Sequence, residues 1–418
     1  MYLLALADNS GDLYGEPGVA ALGRSGKDMV PISEEDWVLM PYGSTVSLLV
    51  DRVALGRDSK KKSITVKSIE GDTVYPAAAV LPPGYTRTYL PAYETKKKAR
   101  DLPFFAYTAI SISDEQIYCA AVRTHDDFRW DPVQYSSLDL PGKIKRKLKT
   151  FKNNRLYKHL SQCSTEYSCF TAQNIFYERW EGGIPTSPGC NANCGGCISE
   201  SRLDKVPSPQ TRIPFIPTVD EITEVAVNHL KSDEAIISFG QGCEGEPLMQ
   251  GKLIADSIQK IRSKTDLGTI NINSNGSLPE MMGKLIDAGL DSARISLNSA
   301  IPDRYEKYFK PSGYTFQQVL ETIKRLKDAG KFVSVNYLFL PGVNDKEDEK
   351  TAFFRLLEEY SIDMIQFRNL NIDPDYYFRF MPAPAGRTAG VRKYIEEIRE
   401  KFPQVVIGNF SIPVIKNR

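Results

Sequence analysis

Apolar positions along the chain fall into two textures. Up to about residue 140 they come in short β-prone runs, among them Trp37-Val-Leu-Met, Thr45-Val-Ser-Leu-Leu-Val, Ser63-Ile-Thr-Val and Gln116-Ile-Tyr-Cys-Ala-Ala-Val. Turn signals separate them, such as Asn9-Ser-Gly, Pro17-Gly, Glu70-Gly-Asp and Pro82-Pro-Gly. Short runs punctuated by glycine and proline predict strands joined by turns, hence a β-rich N-terminal domain over residues 1–140. A substrate platform, a partner-docking module and a structural cap are all open readings of it.

From about residue 180 short apolar runs alternate with longer amphipathic stretches. The predicted strands begin at Glu234, Thr269, Ser292, Phe332 and Asp363. The predicted helices run from near Asp220 to Leu230, Leu253 to Ile261, Pro279 to Ala288, Phe316 to Ala329 and Glu347 to Tyr360. This alternation predicts a parallel sheet with helical crossovers. With one more strand ahead of Cys190, the count suits an α/β fold of partial (β/α)6 TIM-type barrel form over 180–400. An open doubly wound sheet is the competing architecture. In either, ligands gather at the carboxyl ends of the strands. Residues 141–179 read as a basic, cysteine-containing connector, and 401–418 as a closing strand or tail.

Composition changes this picture little. Apolar residues make up 41% and charged residues 25%, with a net charge of +1, so no global feature demands a polyanion or a membrane. No apolar run reaches bilayer length, and the apolar start meets Asp8 and Asp12 early, as a first strand would. A cytoplasmic location without membrane contact is expected. The run Lys143, Lys145, Arg146, Lys147, Lys149, Lys152, Arg155 and Lys158 reads as a solvated helix face, or else as a patch for RNA.

The cysteines carry the chemistry. Cys190-Asn-Ala-Asn-Cys194-Gly-Gly-Cys197 places three thiols in one glycine-rich loop. Thiolates are soft ligands that select iron–sulfur clusters or zinc. A structural zinc site wants four ligands, and the nearby sequence offers no histidine; His125, His159 and His229 all lie far along the chain. Three ligands instead leave one metal position open. A non-enzymatic iron–sulfur or zinc-binding module remains the alternative to an enzyme.

C-x3-C-x2-C at the start of a β/α repeat resembles the signature of the radical S-adenosylmethionine (radical SAM) superfamily. The resemblance implies a [4Fe–4S] cluster on Cys190, Cys194 and Cys197 whose open iron is chelated by S-adenosylmethionine. It also implies reductive cleavage to a 5′-deoxyadenosyl radical, and an electron donor such as flavodoxin or ferredoxin. The substrate, whether small molecule, protein or RNA, is not named by it. Gly245-Glu246-Pro247 is similar to the family's G-G-E-P segment, with Glu244 in place of the first glycine. That similarity points Gly245 and Glu246 at the methionyl amine, with Glu244 a competitor. Asn273-Ser-Asn275-Gly276 resembles the family's Thr-Asn-Gly segment. Arg294, Ser296 and Asn298 alternate along one strand, so one face of it presents all three. Matching family positions contact the methionyl carboxylate and ribose. Gln366, Arg368, Asn369 and Asn371 are further candidates for substrate or adenine contact. One departure stands out: the family has an aromatic residue before the third cysteine, and this chain has Gly196.

Four cysteines remain: Cys119, Cys163, Cys169 and Cys243. Inert packing is one reading. An auxiliary iron–sulfur cluster using Cys163 and Cys169 is another. A third makes Cys243, beside the Glu246 loop, a catalytic hydrogen-atom donor or acceptor.

Overall fold

A computed structural model of the chain describes residues 1–201, 203 and 206–415. The last three residues of the expected C-terminal tail lie outside the described residues.

The alternating texture after residue 180 folds into seven parallel strands: Glu181–Ile184, Ile236–Phe239, Thr269–Ser274, Ser292–Leu297, Phe332–Phe339, Met364–Asn369 and Val406–Gly408. Each pairs with the next in chain order. A doubly wound sheet requires a reversal of strand order. Sequential order throughout is instead that of a curled half-barrel, six strands as expected plus Val406–Gly408 in the C-terminal stretch. Alternation along the strands decides which side is wet. Ile270, Ile272, Ala293, Ile295, Leu297, Val333 and Val335 are fully buried against the helices. Their neighbours Asn273, Arg294, Ser296 and Asn336 line the interior.

Among the described residues the helices are α1 (Leu140–Thr150), α2 (Arg155–Thr165), α3 (Phe170–Tyr177), α4 (Val219–His229), α5 (Gly251–Arg262), α6 (Pro279–Ala288), α7 (Pro302–Phe309), α8 (Phe316–Asp328), α9 (Glu347–Tyr360), α10 (Pro374–Phe380) and α11 (Val391–Lys401). Capping boxes, Thr218 with Glu221 and Thr315 with Gln318, start α4 and α8 by satisfying their orphan N–H groups. The connector is α1 to α3, and its apolar residues join the same core as the barrel. The basic run lies on α1 and the start of α2. Leu140 and Ile144 face inward there, while Lys143 pairs with Asp139 and Lys147 with Glu178. None of these cations borders the barrel cavity. No helix among the described residues is long and apolar enough to cross a membrane.

The β-prone N-terminal runs form one antiparallel sheet, with strands such as Leu3–Ala7, Leu13–Ser25, Tyr75–Val80, Tyr107–Ser113 and Gln116–Arg123. This sheet docks over the carboxyl ends of the later barrel strands through buried charges. Arg52 Nη2 meets Asp373 Oδ2 at 3.0 Å with both side chains out of solvent, and Leu102 N–H donates to the same oxygen at 2.7 Å. Arg24 pairs with Asp375 at 2.6 Å. Arg87, fully buried, donates to the carbonyls of Tyr107 and Leu370, and its backbone N–H donates to Asn369 Oδ1.

Candidate functional site

Two loops at the carboxyl ends of the first two barrel strands are zipped together by a buried carboxylate. Glu244 accepts from the N–H groups of Thr186 (2.7 Å), Ser187 (3.0 Å) and Gln241 (2.7 Å), and from the Thr186 hydroxyl (3.1 Å). Gly245 N–H then donates to Ser187 O at 2.7 Å, and Glu246 N–H to Gly189 O at 2.8 Å. A Cβ on Gly245 would stand 1.9 Å from Gly189 O, so only glycine permits this approach. Both acids line the same cavity but differ in their partners. Glu244 binds its own loops, whereas Glu246 reaches the third strand, accepting from Ser274 Oγ at 2.6 Å, Asn275 N–H at 2.8 Å and Leu248 N–H at 3.0 Å. Desolvation pushes each carboxyl up to about 7.

The cysteine loop is held from below by α7. Asn193 N–H donates to Phe309 O, and Gly195 N–H to Tyr308 O. Gly196 faces Tyr308 directly: a Cβ there would lie 2.9 Å from the Tyr308 hydroxyl and 2.8 Å from Asn371 O. The missing aromatic thus has a steric cause, since Tyr308 fills the space beside the third cysteine. Arg212 Nη2 lies 3.7 Å from Cys197 Sγ, a charge-assisted contact.

These loops border a cavity of about 620 Å3. Cys190, Cys194, Cys197, Gly245, Glu246, Asn275, Arg294 and Ser296 all line it. Its roof is the N-terminal sheet, where Val80, Leu81, Pro82, Pro83 and Tyr85, around a turn legible in the sequence, close over the barrel mouth. Arg368, Asn369 and Asn371 line it as well. Gln366 accepts from Arg294 Nη1 at 2.7 Å and from Arg368 Nη2 at 3.4 Å. Both guanidiniums have lowered pKa values through burial, Arg368 to about 9, and Arg294 keeps its Nε buried without a partner. Two desolvated cations thus share one neutral amide, with the buried Glu181 carboxylate as their nearby counter-charge.

Asn298, Cys243, Cys163, Cys169 and Gln366 lie outside the cavity lining. Asn298 falls outside the cavity lining because the strand ends at Leu297 and the chain turns away. Its side-chain Nδ2 donates to Arg304 O, and its backbone carbonyl accepts from Asn344 Nδ2. Cys243 is buried behind the loop beside Cys163 and His159 and does not line the cavity. Cys163 lies on α2, and Cys169, just before α3, hydrogen-bonds through its thiol to Thr171 Oγ1 at 3.3 Å. Cys119 is packed inside the N-terminal sheet. His229 bonds Trp180 O through Nε2 and is a packing residue. Tyr308, Arg212 and the placement of the N-terminal roof over the barrel carried no local sequence signal, since each depends on a partner far along the chain.

The chemistry of the donor set fits an iron–sulfur cluster. Three soft thiols share one wall of a cavity with room for a nucleoside-sized ligand. Burial pushes the Cys190 thiol up to about 11 and Cys194 further, so the protein alone does not favour the thiolates that a metal centre would bind.

Residues 184–355 match the family model described as the radical SAM superfamily. Among curated proteins, Molybdenum cofactor biosynthesis protein 1 of Mus musculus is 25% identical over 266 residues, 63% of this chain and 38% of that protein. GTP 3′,8-cyclase of Petrotoga mobilis (strain DSM 10674 / SJ95) is 29% identical over 174 residues, 41% of this chain and 48% of that protein. The matches thus span less than half the length of these relatives. Among solved structures, methylornithine synthase (PylB) aligns over 64% of this chain and 74% of that one, with 17% identity and a TM-score of 0.39. The segment that carries the Cys190, Cys194 and Cys197 loop therefore matches the radical SAM superfamily.

Proposed function

We propose that this chain is an enzyme that binds S-adenosylmethionine at a [4Fe–4S] cluster held by Cys190, Cys194 and Cys197, and acts on a small, anion-bearing substrate. The observation that carries this is the convergence of the three thiols, Glu246, Asn275, Arg294 and Ser296 on one roofed cavity. When bound, the cluster supplies the electron that cleaves the sulfonium to a 5′-deoxyadenosyl radical. The residues do the rest. Glu246, held by Ser274 and Asn275, offers a carboxylate to the methionyl amine. Arg294 and Ser296, on one face of their strand, meet the methionyl carboxylate and ribose. The N-terminal sheet excludes water from the radical's path.

Roofing and charge support a small substrate over a macromolecule. The cavity is covered by the chain itself, and the basic run lies away from it. Arg368 remains to receive an anionic group; the relatives' printed activity involves GTP, one molecule of that charge class. A reduced flavodoxin or ferredoxin is the fitting electron donor. Titration of S-adenosylmethionine into the anaerobically reconstituted protein tests the reading against a non-enzymatic metal module. Saturable binding that is lost in Cys194→Ala is expected, and metal loading with no binding would overturn it.

A further inference from the structure

The thiols left over from the cavity converge elsewhere. His159 and Cys163 sit four residues apart on α2, hence on one face of it. Cys243, in the loop after the second barrel strand, meets that face. His159 Nε2 lies 3.6 Å from Cys163 Sγ, and the ligand atoms of all three residues lie within 4.8 Å of one another. All three side chains are buried, and none lines the cavity.

We propose that His159, Cys163 and Cys243 form a mononuclear, tetrahedral metal site for zinc, distinct from the cysteine loop. Bonds of about 2.3 Å to sulfur and about 2.0–2.1 Å to imidazole nitrogen, at tetrahedral angles, set a nitrogen–sulfur edge of roughly 3.6 Å and a sulfur–sulfur edge of roughly 3.8 Å. The His159–Cys163 separation of 3.6 Å, a hydrogen bond in the metal-free protein, already matches that edge. A multi-iron cluster interposes iron and sulfide between its ligands and spreads them further apart. Two thiolates with an imidazole also suit zinc as a donor set. Cys169 stays outside this group, its thiol bonded to Thr171 Oγ1, so the fourth position is left to a water or hydroxide.

The placement gives the ion a task. Cys243 stands directly before Glu244, whose carboxylate binds the cysteine-loop approach, and three residues before Glu246. A metal bridging α2 to Cys243 would fix the loop that borders the cavity, as a positioning element without contact to substrate. Binding through Cys163 and Cys243 releases their thiol protons to solvent. The inference does not depend on the proposed activity, since the site shares no ligand with the cysteine loop.

Metal analysis of the full chain, purified anaerobically and dialysed against zinc chloride and then buffer, tests it. Roughly one tightly held zinc per chain is expected, both in the wild type and in a Cys190→Ala/Cys194→Ala/Cys197→Ala variant. His159→Ala/Cys163→Ser should lose it. Because that variant risks misfolding, zinc-edge X-ray absorption on the wild type supplies an independent readout, a first shell of sulfur and imidazole nitrogen. Absence of bound zinc, an all-oxygen shell, a Cys163–Cys243 disulfide, or several irons with sulfide retained in the triple variant would each overturn the proposal.

Discussion

The hydroxyl of Ser274 donates to Glu246 Oε1 at 2.6 Å, tying the carboxylate of the second barrel loop to the end of the third strand. That bond and two backbone N–H donors orient the acid, while burial raises its pKa to about 7. An amine ligand needs the ionised form. A raised pKa in the free protein means that binding strength is fully present above about 7 and is lost as pH falls through it. Affinity for S-adenosylmethionine should therefore weaken by about tenfold per pH unit below 7. Isothermal titration from pH 8 to pH 5.5 checks this, and Glu246→Gln should bind more weakly with a flattened profile.

Gly196 and Tyr308 compete for one space. Gly196→Tyr, which restores an aromatic before the third cysteine, drives a side chain into the Tyr308 hydroxyl and Asn371 O. Iron and sulfide content after reconstitution should fall by more than half, by about the effect of a severe core overpacking. Adding Tyr308→Ala should recover part of it. Undiminished iron in the single variant would contradict this steric account.

The roof depends on Arg52 and Asp373. Both are buried, and Asp373 also caps α10. Arg52→Met leaves an uncompensated buried carboxylate and should cost about 3–5 kcal/mol. Equilibrium denaturation reads the change directly if the transition stays two-state. Loss of near-ultraviolet signal from the N-terminal sheet before the barrel unfolds would show the same bond failing locally.

The proposed function gives Arg368 to the substrate and Arg294 to the cofactor. Arg368→Met should leave S-adenosylmethionine affinity within about twofold, while Arg294→Met should weaken it by about tenfold or more, the scale of a lost charge-assisted bond. Paired binding titrations check the contrast; equal losses would mean that both guanidiniums serve the cofactor.

Much of the barrel was legible because its periodicity is strong. Ser292–Leu297, Pro279–Ala288 and Glu347–Tyr360 begin and end where the pattern places them. Val391, Tyr394, Ile395 and Ile398 carry a plain helical period that marks α11, although it lay outside the predicted helices. α7 was harder, being short and rich in charge and tyrosine. The alternation Arg294, Ser296, Asn298 held only to the strand's end, because period-two reasoning does not locate where a strand stops. His159 and Cys163 were readable as a helical pair, but Cys243 joins them only through folding. The N-terminal strands and the Pro82-Pro-Gly turn were legible, but their placement over the barrel was not: its ties, Arg52 to Asp373 and Arg87 to Leu370, join segments roughly three hundred residues apart.

The most direct measurement is formation of 5′-deoxyadenosine by the anaerobically reconstituted full chain with S-adenosylmethionine and dithionite, run alongside Cys194→Ala. The account predicts product from the wild type, increased by an anionic small molecule that occupies the Arg368 wall, and none above background from the variant. A wild type that carries its cluster and binds S-adenosylmethionine yet forms no 5′-deoxyadenosine, or a Cys194→Ala variant that forms as much, would contradict it.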